Sequence, residues 1–152
     1  MMLDDADRRI LRQYQADPLA STAQIADRAG LTTATCWRRI ERMQASGIIR
    51  GVRTVIDWHA LGYEVEVSLR ITLDKSQPRA FEDFAAQARL IPEVLEIQTF
   101  LGQVDARLGV IARDLAHYRE LYREKILTLP HITDIDALMH VARVKDDWSV
   151  PL

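Results

Sequence analysis

Cysteine is almost missing from this chain: Cys36 is the only one, so neither an intrachain disulfide nor a cysteine-built metal cluster can form, and a reducing compartment is the expected setting. Long apolar runs are missing as well, and the stretches present are too short to span a bilayer. The opening residues, MMLDDADRRI, are acidic where a secretory leader would be basic and then apolar. Together these absences predict a cytoplasmic protein with no membrane attachment. The four histidines, His59, His117, His131 and His140, are scattered without ligand spacing and read as surface or interface residues, so no metal and no cofactor is implied. What remains is a 152-residue chain with 48% hydrophobic content, enough for one ordinary domain or two small ones.

Net charge is small, −2, but it is divided unevenly along the chain. Residues 1–53 hold 9 Arg against 6 acidic residues, a balance of +3, while the 11 basic and 16 acidic residues that follow give −5. Between residues 33 and 53 the cations Arg38, Arg39, Arg42, Arg50 and Arg53 face Glu41 alone. That concentration is a local basic face.

Periodicity predicts three helices in this first part. Leu3, Ile10, Leu11 and Tyr14 share a face of a helix over residues 4–16, with Asp4 as its cap and Asp7 near its positive end. Ser21 and Gln24 have capping-box spacing for a short second helix that buries Ile25, Ala26 and Ala29 and stops at Gly30. Thr32 can cap a third helix to about Ser46, with Cys36, Ile40 and Met43 turned inward. The small Ala26 and the turn-permissive Gly30 make the second and third helices a helix-turn-helix. IIRGVRTVID (residues 48–57) then has β-rich residues on both sides of Arg50-Gly51, as a small hairpin wing requires.

From Val65 the period changes to two. Val65, Val67, Leu69, Ile71 and Leu73 alternate with polar residues as in a half-buried strand. A helix follows from Pro78 with the stripe Phe81, Phe84, Ala85 and Ala88, then strands at about 94–101 and 107–112, a helix capped by Asp114, and a last strand at about 132–144. IPEVLEI (residues 91–97) and LPHITDI (residues 129–135) form a weak internal repeat, so two strand-helix-strand halves make a βαββαβ, ferredoxin-like, α+β domain. The expected division is a winged helix-turn-helix over 1–56, a connector over 57–64 and the ferredoxin-like domain over 65–152. The last strand reads as apolar on both sides, through Ile135, Ala137, Met139 and Val141 and through Leu138 and Val144, which predicts a second sheet from another subunit as cover.

This order of parts resembles the Lrp/AsnC family of transcriptional regulators over nearly the whole chain. The resemblance is carried by the opening Leu3-Asp4, Asp7, Ile10-Leu11; the turn IADRAGLT (residues 25–32); Cys36, Arg39 and Ile40; Gly47-Ile48-Ile49; the turn from Gly102 to Asp105; and the Leu129-Pro130 joint. It implies a homodimer joined through the C-terminal sheets, often assembled as an octamer of four dimers, that binds double-stranded DNA and frequently responds to an amino acid or related metabolite. The effector pocket implied by the family lies at the Gly102–Asp105 turn and the last strand. Here Ala106 follows the Asp in place of the usual aromatic, and Ile135 and Ala137 stand where polar residues often line the pocket, which predicts a roomier and less polar site.

A helix fits the major groove of B-DNA, and the outer face of the third helix offers Thr33, Thr35, Trp37, Arg38, Arg39 and Arg42. Thr33, Thr35 and Arg38 are the candidates for base edges, with Arg39, Arg42 and the wing's Arg50 or Arg53 on phosphates. Arg39 also lies three residues after Cys36, at the edge of the buried seam, from which it can brace the domain internally. Trp37 fits stacking on DNA or bracing the wing about equally. Cys36 reads as a small buried hydrophobe and not a nucleophile or redox sensor. The Phe81/Phe84 and Tyr118/Tyr122 stripes read as core. The predicted function is a sequence-specific regulator without enzymatic activity. The alternatives are an architectural DNA-binding protein with no effector and, by likeness of architecture, an enzyme similar to the siroheme decarboxylases.

Overall fold

The computed structural model describes residues 2–152, which fall into two compact units. The first runs to Val55 and also takes in Lys145–Leu152; the second is Ile56–Val144. The last eight residues, at the end of the domain expected over 65–152, pack with the first unit.

In the first unit the local signals act as anticipated. Helix α1 spans Asp5–Ala16 behind a capping box in which the Asp4 carboxylate accepts from the Asp7 backbone N–H at 2.8 Å and the Asp7 carboxylate accepts from the Asp4 N–H at 3.2 Å. Helix α2, Thr22–Ala29, has its own box between Ser21 and Gln24 and ends at Gly30, whose φ of 67° lies in the left-handed region that suits glycine. There Leu31 N–H returns to the Ala26 carbonyl at 2.9 Å, setting the turn into α3, Thr33–Ala45, which is capped by Thr32. The three helices enclose Ile10, Ile25, Ala26, Ala29, Cys36, Ile40 and Met43, closed by Ile49. Arg9 adds a clamp by donating to the Ala29 carbonyl at 2.9 Å.

The expected hairpin strands after α3 are not formed in this unit. Among the described residues no strand forms on either side of Arg50-Gly51: residues 50–57 carry no regular structure, because nothing in the chain supplies them a ladder partner. The C-terminal residues instead return to α1. The Gln15 side-chain amide donates to the Val150 carbonyl at 2.9 Å and accepts from its N–H at 3.0 Å, and Arg12 donates to the Leu152 carbonyl oxygen through Nε and Nη2 at 2.9 and 2.7 Å.

The second unit opens with a 3-10 turn at His59–Leu61 and then has the order β1 (Val65–Leu73), α4 (Ala80–Ala88), β2 (Val94–Thr99), β3 (Ala106–Ala112), α5 (Leu115–Leu121), a π-helical turn (Tyr122–Ile126) and β4 (Ile132–Met139). The strands form one antiparallel sheet in the order β2-β3-β1-β4, with Leu69 opposite both Leu108 and Ala137. This is the βαββαβ plan. Val67, Leu69, Ile71, Ala106, Leu108 and Val110 pack on one face against Phe84, Ala88, Leu121 and Ile126, so the alternation read along β1 is the alternation of a one-sided core.

Helix α4 begins at Ala80 and not at Pro78, with Phe81 partly exposed at its edge. Strand β4 stops at Met139, five residues short of its expected end, and its second side is not apolar. There Asp134 and Asp136 stand opposite Thr72 and Arg70, the Arg70–Asp136 pair closes at 3.3 Å, and Arg107 crosses the same face to Glu96 at 2.6 Å, Gln98 at 2.9 Å and Ser68 at 3.2 Å. An antiparallel sheet with such a face satisfies its own charges, so the apolar argument for a covering sheet does not hold. Among the described residues no helix is long and apolar enough to cross a membrane.

Two predictions follow from this architecture. His131 holds a φ of 65°, the one positive value among the described non-glycine residues, while its ring lies 3.1 Å from Asp83. His131→Val should therefore cost about 1–2 kcal/mol more than His131→Gly in urea unfolding, because a β-branched side chain opposes that backbone. The second concerns acid. The Asp7 N–H first, and then the Arg39 guanidinium, hold the Asp4 carboxyl at about 2 against an ordinary 3.8. A lowered value stabilises the folded state above the unfolded pKa and stops doing so as the group takes up its proton. The stability advantage of the wild type over Asp4→Asn should be constant at neutral pH, shrink below about 4 and be lost near about 2.

Candidate nucleic-acid interface and effector site

The basic stretch of α3 divides into two sets of arginines. Asp7, on α1, lies on the same stripe as Leu3 and Ile10 and is fully buried, a position where a lone carboxylate would be strongly unfavourable. Its partners come from α3. Arg39 Nη1 reaches Asp7 Oδ1 at 2.8 Å and also both Asp4 oxygens at 2.9 and 2.8 Å, while Arg42 Nη2 reaches the two Asp7 oxygens at 2.9 and 2.8 Å. The side chains of Arg39 and Arg42 are 25% and 51% exposed, so the first is held well inside and the second keeps one flank in solvent. The bracing role weighed for Arg39 is what the structure shows, and Arg42 shares it. Neither is poised as a free phosphate contact.

Arg38 is exposed and outside this network, as are Arg50 and Arg53 beyond the end of α3. Thr33 is exposed at the first turn. Thr35 is half-buried and accepts a hydrogen bond from the Thr32 hydroxyl at 2.9 Å, while its backbone N–H is held by the cap at 3.3 Å. Trp37 stands out from the helix at 53% exposure. The outward face is therefore Thr33, Thr35, Trp37 and Arg38, presented by a helix whose other side is sealed by Cys36, Ile40 and Met43. Burial pushes the Cys36 thiol up from its ordinary value, which keeps it protonated and unreactive.

In the second unit Asp105 is a structural clamp as well as a site candidate. Its backbone N–H donates to the Ile71 carbonyl at 2.9 Å, its Oδ2 accepts from the Leu73 N–H at 2.8 Å, and its Oδ1 lies 3.4 Å from Lys75 Nζ. Lys75 also donates to the Gly102 carbonyl at 3.3 Å, which ties the turn to the end of β1. Beside this clamp opens a cavity of about 480 Å³ walled by Leu73, Phe81, Phe100 and Leu101 and edged by Asp74, Lys75 and Asp105. The hydroxyl and backbone N–H of Ser76 keep the Asp74 carboxyl below its ordinary range, so it is an anion here.

The five residues expected to line an effector pocket do not converge within one chain. Gly102 and Asp105 meet through Lys75. Ala106 is turned into the core, opposite Ile71 and Thr99, and is fully buried. Ile135 lines a separate cavity of about 430 Å³ with Tyr122, Leu129 and His131, and Ala137 lies two positions further along β4 opposite Leu69. Phe81, read as core, is instead a cavity wall. Among the described residues no group of three or more His, Cys, Asp or Glu is placed to hold a metal ion.

Known proteins share these features. Residues 66–150 match the Lrp/AsnC ligand binding domain and residues 3–50 a winged helix-turn-helix DNA-binding family. The leucine-responsive regulatory protein of Salmonella typhimurium is 32% identical over 143 residues, 94% of this chain and 87% of that one. The transcriptional regulator AzlB of Bacillus subtilis is 29% identical over 152 residues, covering 100% of this chain and 97% of its own. The crystal structure of an AsnC family transcriptional regulator from Agrobacterium tumefaciens matches with a TM-score of 0.88 at 30% identity, over 98% of this chain and 97% of that one. A transcriptional regulator from Neisseria meningitidis, crystallised as an L-Met complex, shares the fold with a TM-score of 0.91 at 23% identity, over 99% and 97% of the two chains. With its helix-turn-helix, its exposed α3 face and its βαββαβ domain, this chain belongs to the Lrp/AsnC family of DNA-binding transcriptional regulators.

Proposed function

We propose that this regulator reads operator DNA with Thr33, Thr35 and Arg38 of α3, supported on phosphates by Arg50 and Arg53, and that an amino acid or related metabolite tunes its assembly from the cavity beside Asp105. The observation that carries the first part is the division among the arginines: Arg38 stands free on the outward face while Arg39 and Arg42 are spent on Asp7. An arginine so placed can take a guanine edge bidentately. The effector reading is supported by the cavity's chemistry. A zwitterion needs an anion for its ammonium and a cation for its carboxylate, and Asp74, Asp105 and Lys75 supply both beside an apolar wall suited to a side chain. The relative crystallised with L-Met agrees with that class of ligand.

Regulation then needs only linkage. A second copy of the chain pairs to present two reading helices, and a ligand that favours one assembly changes how many half-sites are held together, and so the avidity. Arg38→Ala should weaken binding to operator DNA by about tenfold or more, a loss of about 1–3 kcal/mol, in fluorescence anisotropy, with the size of the assembly unchanged by light scattering. Full operator binding by that variant would remove α3 as the reading element. For the effector, a panel of amino acids and keto acids in thermal unfolding should raise the midpoint for at least one member. The stabilisation should approach about 2.7 kcal/mol at one hundred times the Kd and should be absent in Lys75→Ala. A panel in which nothing shifts the wild type would end the effector reading and leave the DNA-binding one standing.

A further inference from the structure

Asp7 is remote from the outward face of α3, yet it decides how many cations that face presents. If its carboxylate were absent, Arg42 would join Arg38, Arg50 and Arg53 as a free guanidinium group in the same short stretch of chain, while Arg39 would keep the Asp4 carboxylate. Free arginines bind phosphate in any sequence, and phosphate contacts supply most of non-specific affinity without adding discrimination. We infer that Asp7 is a specificity-determining positioning residue: by sequestering Arg42 it withholds that cation from the DNA backbone and sets the ratio of specific to random binding. The inference rests on α3 being the reading helix.

The geometry favours this over simple anchoring. An anchor for α1 against α3 needs one ion pair, and Arg39 already supplies it by bridging Asp4 and Asp7 from a largely covered position. Arg42 is the surplus member. Its side chain is half exposed and could reach solvent or a phosphate, but Nη2 is turned back to lie 2.9 and 2.8 Å from the two oxygens of the same buried carboxylate. Asp7 therefore holds one cation for structure and a second whose main effect is to lower the charge offered to DNA. Retaining the arginines costs nothing in random binding so long as the carboxylate is there.

The test uses the full-length protein, a random-sequence duplex and a duplex enriched by in vitro selection, with anisotropy over a salt series. Asp7→Asn should bind the random duplex more tightly, by roughly tenfold at low salt, and steepen the dependence of log affinity on log salt by about 0.9 per chain, since it releases Arg42 while Arg39 stays on Asp4. Its preference for the selected duplex should fall accordingly. Arg42→Gln should leave the slope and both affinities as in the wild type, because that cation is withheld already. Arg38→Ala should lose the selected duplex. A folded Asp7→Asn variant with an unchanged slope would overturn the inference, as would a fall in slope of about 0.9 in Arg42→Gln, which would place Arg42 on a phosphate in the wild type. If circular dichroism shows that Asp7→Asn does not fold, Arg42→Gln alone decides. Selected-duplex binding retained by Arg38→Ala would overturn the reading of α3 itself, an outcome separate from the other two.

Discussion

The buried carboxylate of Asp7 is the constraint on which the DNA-binding unit depends. Removing a carboxylate from water is costly, and the cost is offset here by Arg39 and the Asp4 N–H, with Arg42 as a further partner. Each partner belongs to something else as well. Asp4 is the cap of α1, Arg39 flanks the Cys36–Ile40 seam, and Arg42 is in the last turn of α3. The unit has a small core built on Ile10, Ile25, Ile40 and Met43, so this polar joint, with the Arg9 clamp on α2, supplies directional contacts that apolar packing lacks. The same joint engages two of the five arginines of the basic stretch in ion pairs.

In the second unit a comparable role falls to Asp105. A hairpin turn needs no carboxylate, yet this one fastens the β2–β3 connection to the end of β1 through the Leu73 N–H and holds Lys75 at the rim of a cavity. A ligand that drew Lys75 or Asp105 away would loosen that tie and so reach the end of β1. The polar outer face of the sheet, with Arg107 and Arg70 each paired to an acid, means that contact with another copy would be governed by charge matching and salt more than by apolar area.

What could be read along the chain was local. Asp4, Ser21 and Thr32 act as caps, Gly30 turns left-handed, and Cys36, Ile40 and Met43 are buried, because each depends on neighbours within about a turn of helix. The basic face was legible as charge but not as partnership: the acid that claims Arg39 and Arg42 lies 32 and 35 residues earlier. A signal for it did exist, since an aspartate on the Leu3–Ile10 stripe had to be paired if that stripe was buried. Strand pairing at 50–57 and beyond Met139 was not legible, because β-rich composition says nothing about a ladder partner. The acids at 134 and 136 alternate with Ile135 and Ala137 and so stand on the open face of the sheet. The charged edge of the cavity was not legible because Asp74 and Lys75 precede α4, in a stretch that periodicity passes over.

The most direct measurement is a crystal structure of the protein bound to its operator. The account predicts Arg38 at a base edge in the major groove, with the guanidinium groups of Arg39 and Arg42 still on the Asp7 carboxylate, at distances like those of the free protein. Finding Arg42 on a phosphate oxygen and Asp7 left with Arg39 alone would contradict it.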